Sequence, residues 1–244
     1  PTRRSSDLQI RKGQLRPSPQ DRAYLEALYD AEVLQMDATL LKVQEDLTRL
    51  GIADKTAVAF VGSHGEELLD HGSIGHGHAL YDELTTVPLL LRFPPRVAAG
   101  ERPATELRAE LCDLMPTVLA LTGVGVPEGV QGESLLPLLA QPSSPNGTGA
   151  SAPRAGIAEH EQHLRSLHLG RYHLILGGER PLLFDLLADP NERQPLDPQT
   201  TGVVALQALR GPLALFHAFQ ARWHKPRLGQ PAALRPGFQE DLGP

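Results

Sequence analysis

The chain has 244 residues, 41% of them hydrophobic and 21% charged, which is enough to bury one sizeable core. Its formal net charge is −6 and no basic run is longer than the pair Arg3-Arg4, so the composition argues against a nucleic-acid partner. No apolar run approaches the ~20 residues that a membrane span needs. The single cysteine, Cys112, excludes a disulfide within the chain.

The first residues do not look like part of a folded protein. Residues 1–8, PTRRSSDL, resemble the translation of a sequencing-library adapter, so we expect the native segment to begin near Gln9, as the later part of a longer reading frame. The region that would carry a targeting signal is then missing, and the sequence leaves the compartment open.

A long helix is the first predicted element. Ser18, Pro19 and Asp21 form a capping-box-like helix start. Apolar residues then recur at spacings of three or four as far as Gly51, which supplies the stop. The pattern predicts one amphipathic helix whose leucines, together with Met36, pack into the core.

The next stretch indicates a strand, a polar loop and a second strand. The apolar runs are Ala57–Val61 and Leu89–Phe93, and their lack of alternation predicts a parallel sheet covered by helices. Two glycines beside His64 let the chain turn sharply where the first strand ends, which is where open α/β sheets place their sites. Four histidines and four acidic residues lie between His64 and Asp82, a density that suits a hard cation or an oxyanion.

This stretch resembles the metal-binding block of the sulfatases, which belong to the alkaline-phosphatase-like superfamily. The family pattern runs from a hydrophobic strand through Asp-His-Gly-Glu, His-Gly, Gly-His-Gly and Leu-Tyr-Asp-Glu to Val-Pro-Leu. The matching positions are His64-Gly65-Glu66, His71-Gly72, Gly75-His76-Gly77, Leu80-Tyr81-Asp82-Glu83 and Val87-Pro88-Leu89. The chain departs from the pattern at Ser63, where the family has a metal-ligating aspartate.

The resemblance continues on both sides of this block. Tyr29–Glu32 is similar to the segment that opens the preceding helix, and Leu183–Leu186 with Asp189–Glu192 resembles the Leu-Tyr-Asp-Leu and Asp-Pro-x-Glu signature of the C-terminal subdomain. It therefore spans about Ala23 to Trp223, in family order. It implies an alkaline-phosphatase-like α/β fold, a layered sheet with helices on both faces, of which this chain holds a part.

The resemblance also implies roles for individual residues. Sulfatases hold one divalent ion, commonly calcium, and His64 and Ser63 fill two of its ligand positions. His76 and His78 lie in the loop where the family places cationic residues against the sulfate oxygens and the leaving oxygen, so they are the catalytic candidates. The early acids and the nucleophile have no counterpart. Cys112 lacks the Cys-x-Pro-x-Arg setting of the family nucleophile, and we expect a small buried helix residue there.

The remaining elements predict a second, smaller layer. Glu106 to Leu121 has a helical pattern that Pro116 would break or kink. Short strands and a last helix then predict a small antiparallel sheet with a C-terminal helix. These elements are Ser166–Leu169, Arg171–Leu176, Leu182–Leu187 and Val203–Trp223. The expected divisions are 1–8 adapter-derived, 9–140 sulfatase-like α/β domain, 141–153 linker, 154–224 small α+β subdomain and 225–244 disordered tail.

Two classes of function stay open. The first is a hydrolase acting on sulfate esters of a small molecule or glycan, with phosphate or phosphonate ester hydrolysis and phosphoethanolamine transfer as variants. The second is a noncatalytic member of the fold that binds an anionic ligand or a partner. Ser63 removes a full charge from the calcium shell, which weakens binding by several kcal/mol even at an effective dielectric of about 20. A pseudo-enzyme, an altered metal site and a sequence error would each explain Ser63, and we expect the isolated chain to be inactive.

Overall fold

The structure is a computed structural model, which describes residues 8–95, 97, 109–137, 154–161 and 164–223, the last nine as backbone only. The expectations for residues 1–7, 141–153 and 225–244 lie outside the described residues. The chain divides into two compact units: the first comprises the described residues up to His76 and from Glu83 to Val97, and the second comprises Gly77–Asp82 and the described residues from Ala109 onward. The domain boundaries predicted from the sequence stay a prediction.

The long helix α1 spans Pro19–Arg49, as the sequence predicts. Its start is a capping box: the backbone N–H of Asp21 donates to Ser18 Oγ at 3.2 Å, and the Ser18 N–H donates to Asp21 Oδ2 at 2.7 Å. The predicted core packing is wrong, because α1 has no buried residue and Met36 is 49% exposed. The reason is that no described element covers its apolar face. No described helix has the length and hydropathy to cross a bilayer.

The first unit contains two short antiparallel pairs. Strand β1 (Val58–Val61) pairs with β4 (Leu89–Arg92), and β2 (Glu67–Leu68) pairs with β3 (Ile74–Gly75). The parallel arrangement predicted for the two longer strands is therefore wrong. A parallel pair needs a crossover that carries the chain back along the strand, whereas the described helix between them, α2 (Asp82–Thr85), has only four residues.

The second unit begins with a 3-10 turn at Leu111–Asp113 and helix α3 at Leu114–Thr122. Because the helix begins later than predicted, Pro116 lies in its first turn, where a missing N–H breaks no helical hydrogen bond. The spacing of the apolar residues predicts that Leu107, Leu111, Leu114, Val118 and Leu121 share one face. That face is not the buried one, because Val118 is 45% exposed whereas Pro116 and Thr117 are buried. Cys112 is exposed, not buried, because it lies in the turn.

A four-stranded antiparallel sheet and a helix complete the second unit, and both were predicted. The strands follow the order β5 (Ala155–His160), β6 (Leu164–Leu169), β7 (Tyr172–Leu176) and β8 (Leu182–Asp185), and helix α4 spans Val203–Trp223. Strand β5 was not predicted, because its sequence AGIAEH has few apolar residues. The sheet and helix bury one cluster: Leu167, Leu174, Leu176, Leu183, Ala205, Leu206, Leu209 and Leu213.

Candidate metal and anion site

The loop after β1 is organised by a buried carboxylate. Glu67 is 0% exposed, and its Oε1 accepts the backbone N–H groups of His71 at 2.9 Å and of Ser73 at 2.6 Å. These two hydrogen bonds offset the cost of burying the Glu67 carboxylate, because the backbone N–H groups replace the water molecules that would otherwise solvate it. The sequence does not single out Glu67 from Glu66 and Asp70, because which acid of the loop is buried depends on the fold.

Gly65 brings the residues after His64 against the first unit's helical turn. A Cβ at Gly65 would lie 1.9 Å from the carbonyl oxygen of Glu83, so only glycine fits. The Gly65 N–H donates to the carbonyl oxygen of Leu84 at 2.9 Å. This close approach of two backbone segments fixes where the His64 side chain begins.

Three side chains meet beside this turn: His64, Glu66 and His76. The ring centroids of His64 and His76 are 3.9 Å apart, and His76 Nδ1 lies 2.9 Å from Glu66 Oε2. One ligand atom from each of the three residues lies within 4.8 Å of the others, and no second such group of histidine, cysteine or carboxylate side chains occurs among the described residues. We refer to these three residues as the His64 cluster.

The hydrogen bonds of the cluster define which nitrogens are available. His64 Nδ1 donates to the carbonyl oxygen of Gly65 at 2.9 Å, so Nε2 of the neutral ring carries the free lone pair. His76 Nδ1 donates to Glu66, which likewise leaves its Nε2 as the second available nitrogen. Both rings are exposed to solvent, so a ligand can reach them.

Arg11 supports the far side of the cluster and was missed in the sequence. Its Nε and Nη2 donate to the carbonyl oxygen of Ile74 at 3.0 and 2.9 Å, and Nη2 also lies 3.2 Å from the carbonyl oxygen of His76. A Cβ at Gly75 would lie 2.7 Å from Nη2, so glycine makes room for the guanidinium. Arg11 thus brings a permanent positive charge to the backbone of the loop.

The other predicted site residues have different surroundings. Ser63 is exposed at the end of β1. His71 lies outside the Gly-His-Gly run, so the sequence predicts no ligand role for it, and its Nδ1 lies 2.7 Å from Glu83 Oε1. Burial raises the pKa of Glu83, against the lowering effect of the hydrogen bond from His71. These contacts make His71 part of the scaffold of the first unit.

His78 belongs to the second unit, as part of the segment Gly77–Asp82, and is half-buried. Leu80 anchors this segment, because it is 6% exposed and packs in a cluster with Ile175 and Phe184. The segment that carries His78 is therefore held on the C-terminal sheet by Leu80, which the sequence did not indicate.

Cys112 does not look like a nucleophile in the structure. Desolvation and the neighbouring carboxylates of Asp113 and Glu110 raise the pKa of the Cys112 thiol, which keeps it in the unreactive protonated form. It lines a shallow pocket of about 440 Å³ with Met115 and Val130. The chain's only thiol is thus unsuited to attack an ester.

The donor set of the His64 cluster does not match calcium on its own. Calcium takes six to eight oxygen ligands, whereas the cluster offers two imidazole nitrogens and one carboxylate. That set suits a borderline ion such as zinc, which binds nitrogen and carboxylate ligands in a small coordination shell. Ser63 adds a neutral hydroxyl, which does not supply the missing charge.

Comparison with known protein families assigns the chain to a family. Residues 11–124 match the sulfatase family model, and residues 71–209 match the model described as N-sulphoglucosamine sulphohydrolase, C-terminal. The second match covers more than half of the 244 residues. The chain belongs to the sulfatase family. This family generally uses a divalent metal, and the described residues include a group able to hold one.

Two curated relatives are similar over part of their length. Arylsulfatase K of Xenopus laevis is 30% identical over 179 residues, which are 69% of this chain and 33% of that protein. Endo-4-O-sulfatase of Bacteroides thetaiotaomicron is 33% identical over 112 residues, 45% of this chain and 22% of that protein. The chain thus spans a third or less of the length of these relatives.

Solved structures establish the fold. A 2-O GAG sulfatase matches with a TM-score of 0.68 at 23% identity, covering 86% of this chain and 47% of that chain. A structure in complex with its substrate D-Glucosamine-2-N, 6-O-disulfate matches with a TM-score of 0.61 at 21% identity, covering 81% and 41%. The α/β, alkaline-phosphatase-like class predicted from the sequence is confirmed by these neighbours.

Proposed function

We propose that this chain contributes the metal and anion half of a sulfuric ester hydrolase site. The observation that supports the proposal most is the meeting of His64 and His76, whose ring centroids are 3.9 Å apart beside Glu66. The family resemblance assigns one of these histidines to the cation and the other to the sulfate. In the proposal, His64 and Ser63 serve the metal and His76 serves the ester, while the catalytic role that the resemblance implies for His78 stays a prediction.

The proposed chemistry needs positive charge where the ester gains negative charge. When a sulfate ester is cleaved, charge gathers on the nonbridging oxygens and on the leaving oxygen. In its protonated form, His76 donates from Nε2 to the ester and from Nδ1 to Glu66, whereas the neutral ring offers the Nε2 lone pair to a cation when no ester is bound. The guanidinium of Arg11, bonded to the His76 carbonyl oxygen, adds to the attraction for an anion.

We propose a sulfated saccharide or a smaller sulfate ester as the substrate, with phosphorylated analogues as the alternative. Support comes from similar proteins, which include an endo-4-O-sulfatase and an N-acetylglucosamine-6-O-sulfatase of Bacteroides thetaiotaomicron. Exposure of both histidine rings is compatible with a large, polar substrate.

The proposal also concerns which divalent metal ion the site binds. Family resemblance implies calcium, whereas the described donors favour a borderline ion, so we propose a divalent site with weak calcium affinity. Ser63→Asp tests the cause, because it returns a carboxylate to the position that the family uses. We expect calcium affinity to rise at least ~10-fold, since one added charge faces a divalent ion at short range. If the calcium affinity of Ser63→Asp is unchanged, residue 63 does not contribute to the metal site.

Binding and turnover together test the function. The full chain is titrated with 4-nitrophenyl sulfate, a sulfated glucosamine and the matching phosphate and phosphonate esters. We expect binding of the sulfated ligands that His76→Ala removes and that His64→Asn keeps, because asparagine also occurs at that position in the family. No binding by any of these esters would overturn the proposal.

Ser63 favours a second candidate, the noncatalytic member of the fold. The two candidates make different predictions for the same titration: binding without turnover supports the noncatalytic protein, whereas turnover abolished by His64→Ala supports the hydrolase. We expect the chain to bind without measurable turnover, because none of its residues occupies the family's nucleophile position.

A further inference from the structure

The segment Gly77–Asp82, which carries His78, is tied to the C-terminal sheet by a buried polar network. The backbone N–H of Asp82 donates to Glu192 Oε2 at 2.6 Å. The other carboxylate oxygen of Glu192 accepts from His173 Nδ1 at 2.5 Å. Glu192 is 3% exposed and His173 is 0% exposed, so solvent can replace neither bond. One carboxylate thus links the segment to β7.

The backbone N–H of Asp82 needs a hydrogen-bond acceptor from outside helix α2. Asp82 is the first residue of α2, and the first N–H groups of a helix have no partner within it. Glu192 supplies that acceptor, although the two residues are far apart in sequence. A buried N–H without an acceptor is costly, so the position of the Glu192 carboxylate and the path of the segment depend on each other.

The backbone of Glu192 is held in an unfavourable conformation. Its φ is +51°, in the left-handed region that glycine and asparagine adopt most easily. A non-glycine residue persists there only when its surroundings determine it. Glycine would adopt this positive φ without strain, but it would lack the carboxylate that bonds Asp82 and His173. The presence of glutamate at this position therefore indicates that the carboxylate is needed there, and not only the turn.

Two further contacts surround the network. His168 lies across from His173 in neighbouring strands, with ring centroids 5.0 Å apart, and its Nε2 is 3.8 Å from an Asp82 carboxylate oxygen. His173 Nε2 is buried and has no hydrogen-bond partner among the described residues, so the ring is held on its Nδ1 side, by Glu192. The hydrogen on Nδ1 is the one that orients Glu192.

We infer that Glu192 and His173 form a clasp that seats the segment Gly77–Asp82 on the C-terminal sheet, and that Glu192 is thereby a positioning residue for His78. The role of His78 rests on the proposed function, whereas the clasp itself does not. Apolar packing of Leu80 against Ile175 and Phe184 holds the middle of the segment, and the clasp fixes its end. The ring of His78 thus lies in a segment held at two points.

Amide hydrogen exchange of the full chain tests the clasp. In Glu192→Gly, we expect exchange at Asp82 to accelerate about 10- to 100-fold, the size of a lost hydrogen bond to a charged acceptor. Glycine also relieves the positive φ, so a position needed only for its turn would keep or gain protection. Glu192→Gln restores one acceptor oxygen and should recover part of the protection. Glu179→Gly, at an exposed loop glutamate, is the matched control.

The second readout separates positioning from general stability. The imidazole NMR signals of His78 should shift or broaden in Glu192→Gly and return toward their original positions in Glu192→Gln. Amides of Leu174 and Leu183 in the buried sheet should keep their protection in both variants. Unchanged exchange at Asp82, or equal loss of protection across the whole sheet in both variants, would overturn the clasp. Neither readout needs turnover, so the clasp stands even if the hydrolase proposal fails.

Discussion

The two units of this chain differ in how far their helices bury apolar residues. In the second unit, Leu174, Leu183 and Leu209 are each no more than 1% exposed, between a four-stranded sheet and a helix. In the first unit, helix α1 has no buried residue and Leu34 is 71% exposed. Periodic apolar residues predict a helix in both places, but the period alone does not say whether another surface covers it.

Charged residues divide by burial and not by unit, since Glu67 of the first unit is as buried as the acids of the second. In the second unit, the carboxylates of Asp113 and Glu192 are buried and bonded to partners that hold the fold. In the first unit, His64 and His76 are exposed beside Glu66, where their donor atoms can meet a ligand. Burial therefore separates groups that maintain structure from groups that are available for chemistry.

The largest expected effect is in the core of the second unit. Leu174→Ala should lower the free energy of unfolding by about 2–5 kcal/mol, because it leaves a cavity at a position that is 1% exposed. Leu34→Ala on α1 is the matched control, and we expect a change within ~0.5 kcal/mol. Urea denaturation measures both, and equal effects would contradict the contrast between the two units.

The ion pair between Asp113 and Arg154 should come next. Arg154 donates to Asp113 through both terminal nitrogens at 2.8 and 2.9 Å, and the carboxylate is fully buried. Asp113→Ala should cost about 2–4 kcal/mol, because Arg154 and two backbone N–H groups lose their acceptor. Glu133→Ala is the control, since its side chain is 75% exposed and lies 4.0 Å from Arg154. A similar loss in both variants would count against a specific role for Asp113.

Asp113 also predicts an acid-dependent loss of stability. Burial alone would raise the pKa of Asp113, but hydrogen bonds from Arg154 and from backbone N–H groups hold it below its ordinary value of 3.8. Its contribution is therefore present above the unfolded pKa and is lost as the pH falls below about 4 toward the folded pKa. In Asp113→Asn, the slope of stability against pH in that range should be smaller by up to ~1.4 kcal/mol per pH unit. Equal slopes in urea melts from pH 5 to pH 2 would refute this.

The smallest expected effect concerns the exposed face of α1. An uncovered row of apolar side chains favours self-association, so we expect concentration-dependent assembly of the chain. Val33→Lys changes a residue of that row that is 52% exposed, and it should weaken assembly about 10-fold because it removes apolar area, while the unfolding free energy stays nearly unchanged. Gln35→Lys adds the same charge without removing apolar area. Sedimentation velocity measures the assembly, and a monodisperse monomer at all concentrations would contradict the expectation.

Local patterns were sufficient for the elements that depend on local physics. The capping box at Ser18 begins α1 as predicted, and Val203–Trp223 is helical over the predicted range. The orientation of β1 and β4 was predicted wrongly, because strand direction depends on the path of the intervening chain. Apolar runs of four residues are compatible with either direction.

Sequence patterns also predicted only part of the candidate site. Family resemblance led to His64 and His76, and the sequence offers Glu66 or Glu67 as an acid that could compensate for Ser63. Only the structure shows that Glu66 joins the cluster whereas Glu67 is buried. The pairing of Glu192 with Asp82 and His173 joins residues from a loop, a strand and a turn. No spacing rule links such positions, because the contacts depend on the fold as a whole.

The central claim is that His64, Glu66 and His76 form one ligand-binding group, which a divalent ion can occupy when no ester is bound. Imidazole NMR spectra of the full chain, recorded during a titration with Zn²⁺, test it most directly. We predict that the signals of His64 and His76 respond together with one midpoint, which Glu66→Ala shifts at least ~10-fold, while His173 is unaffected. Different midpoints for the two histidines, or no response from either, would contradict the account.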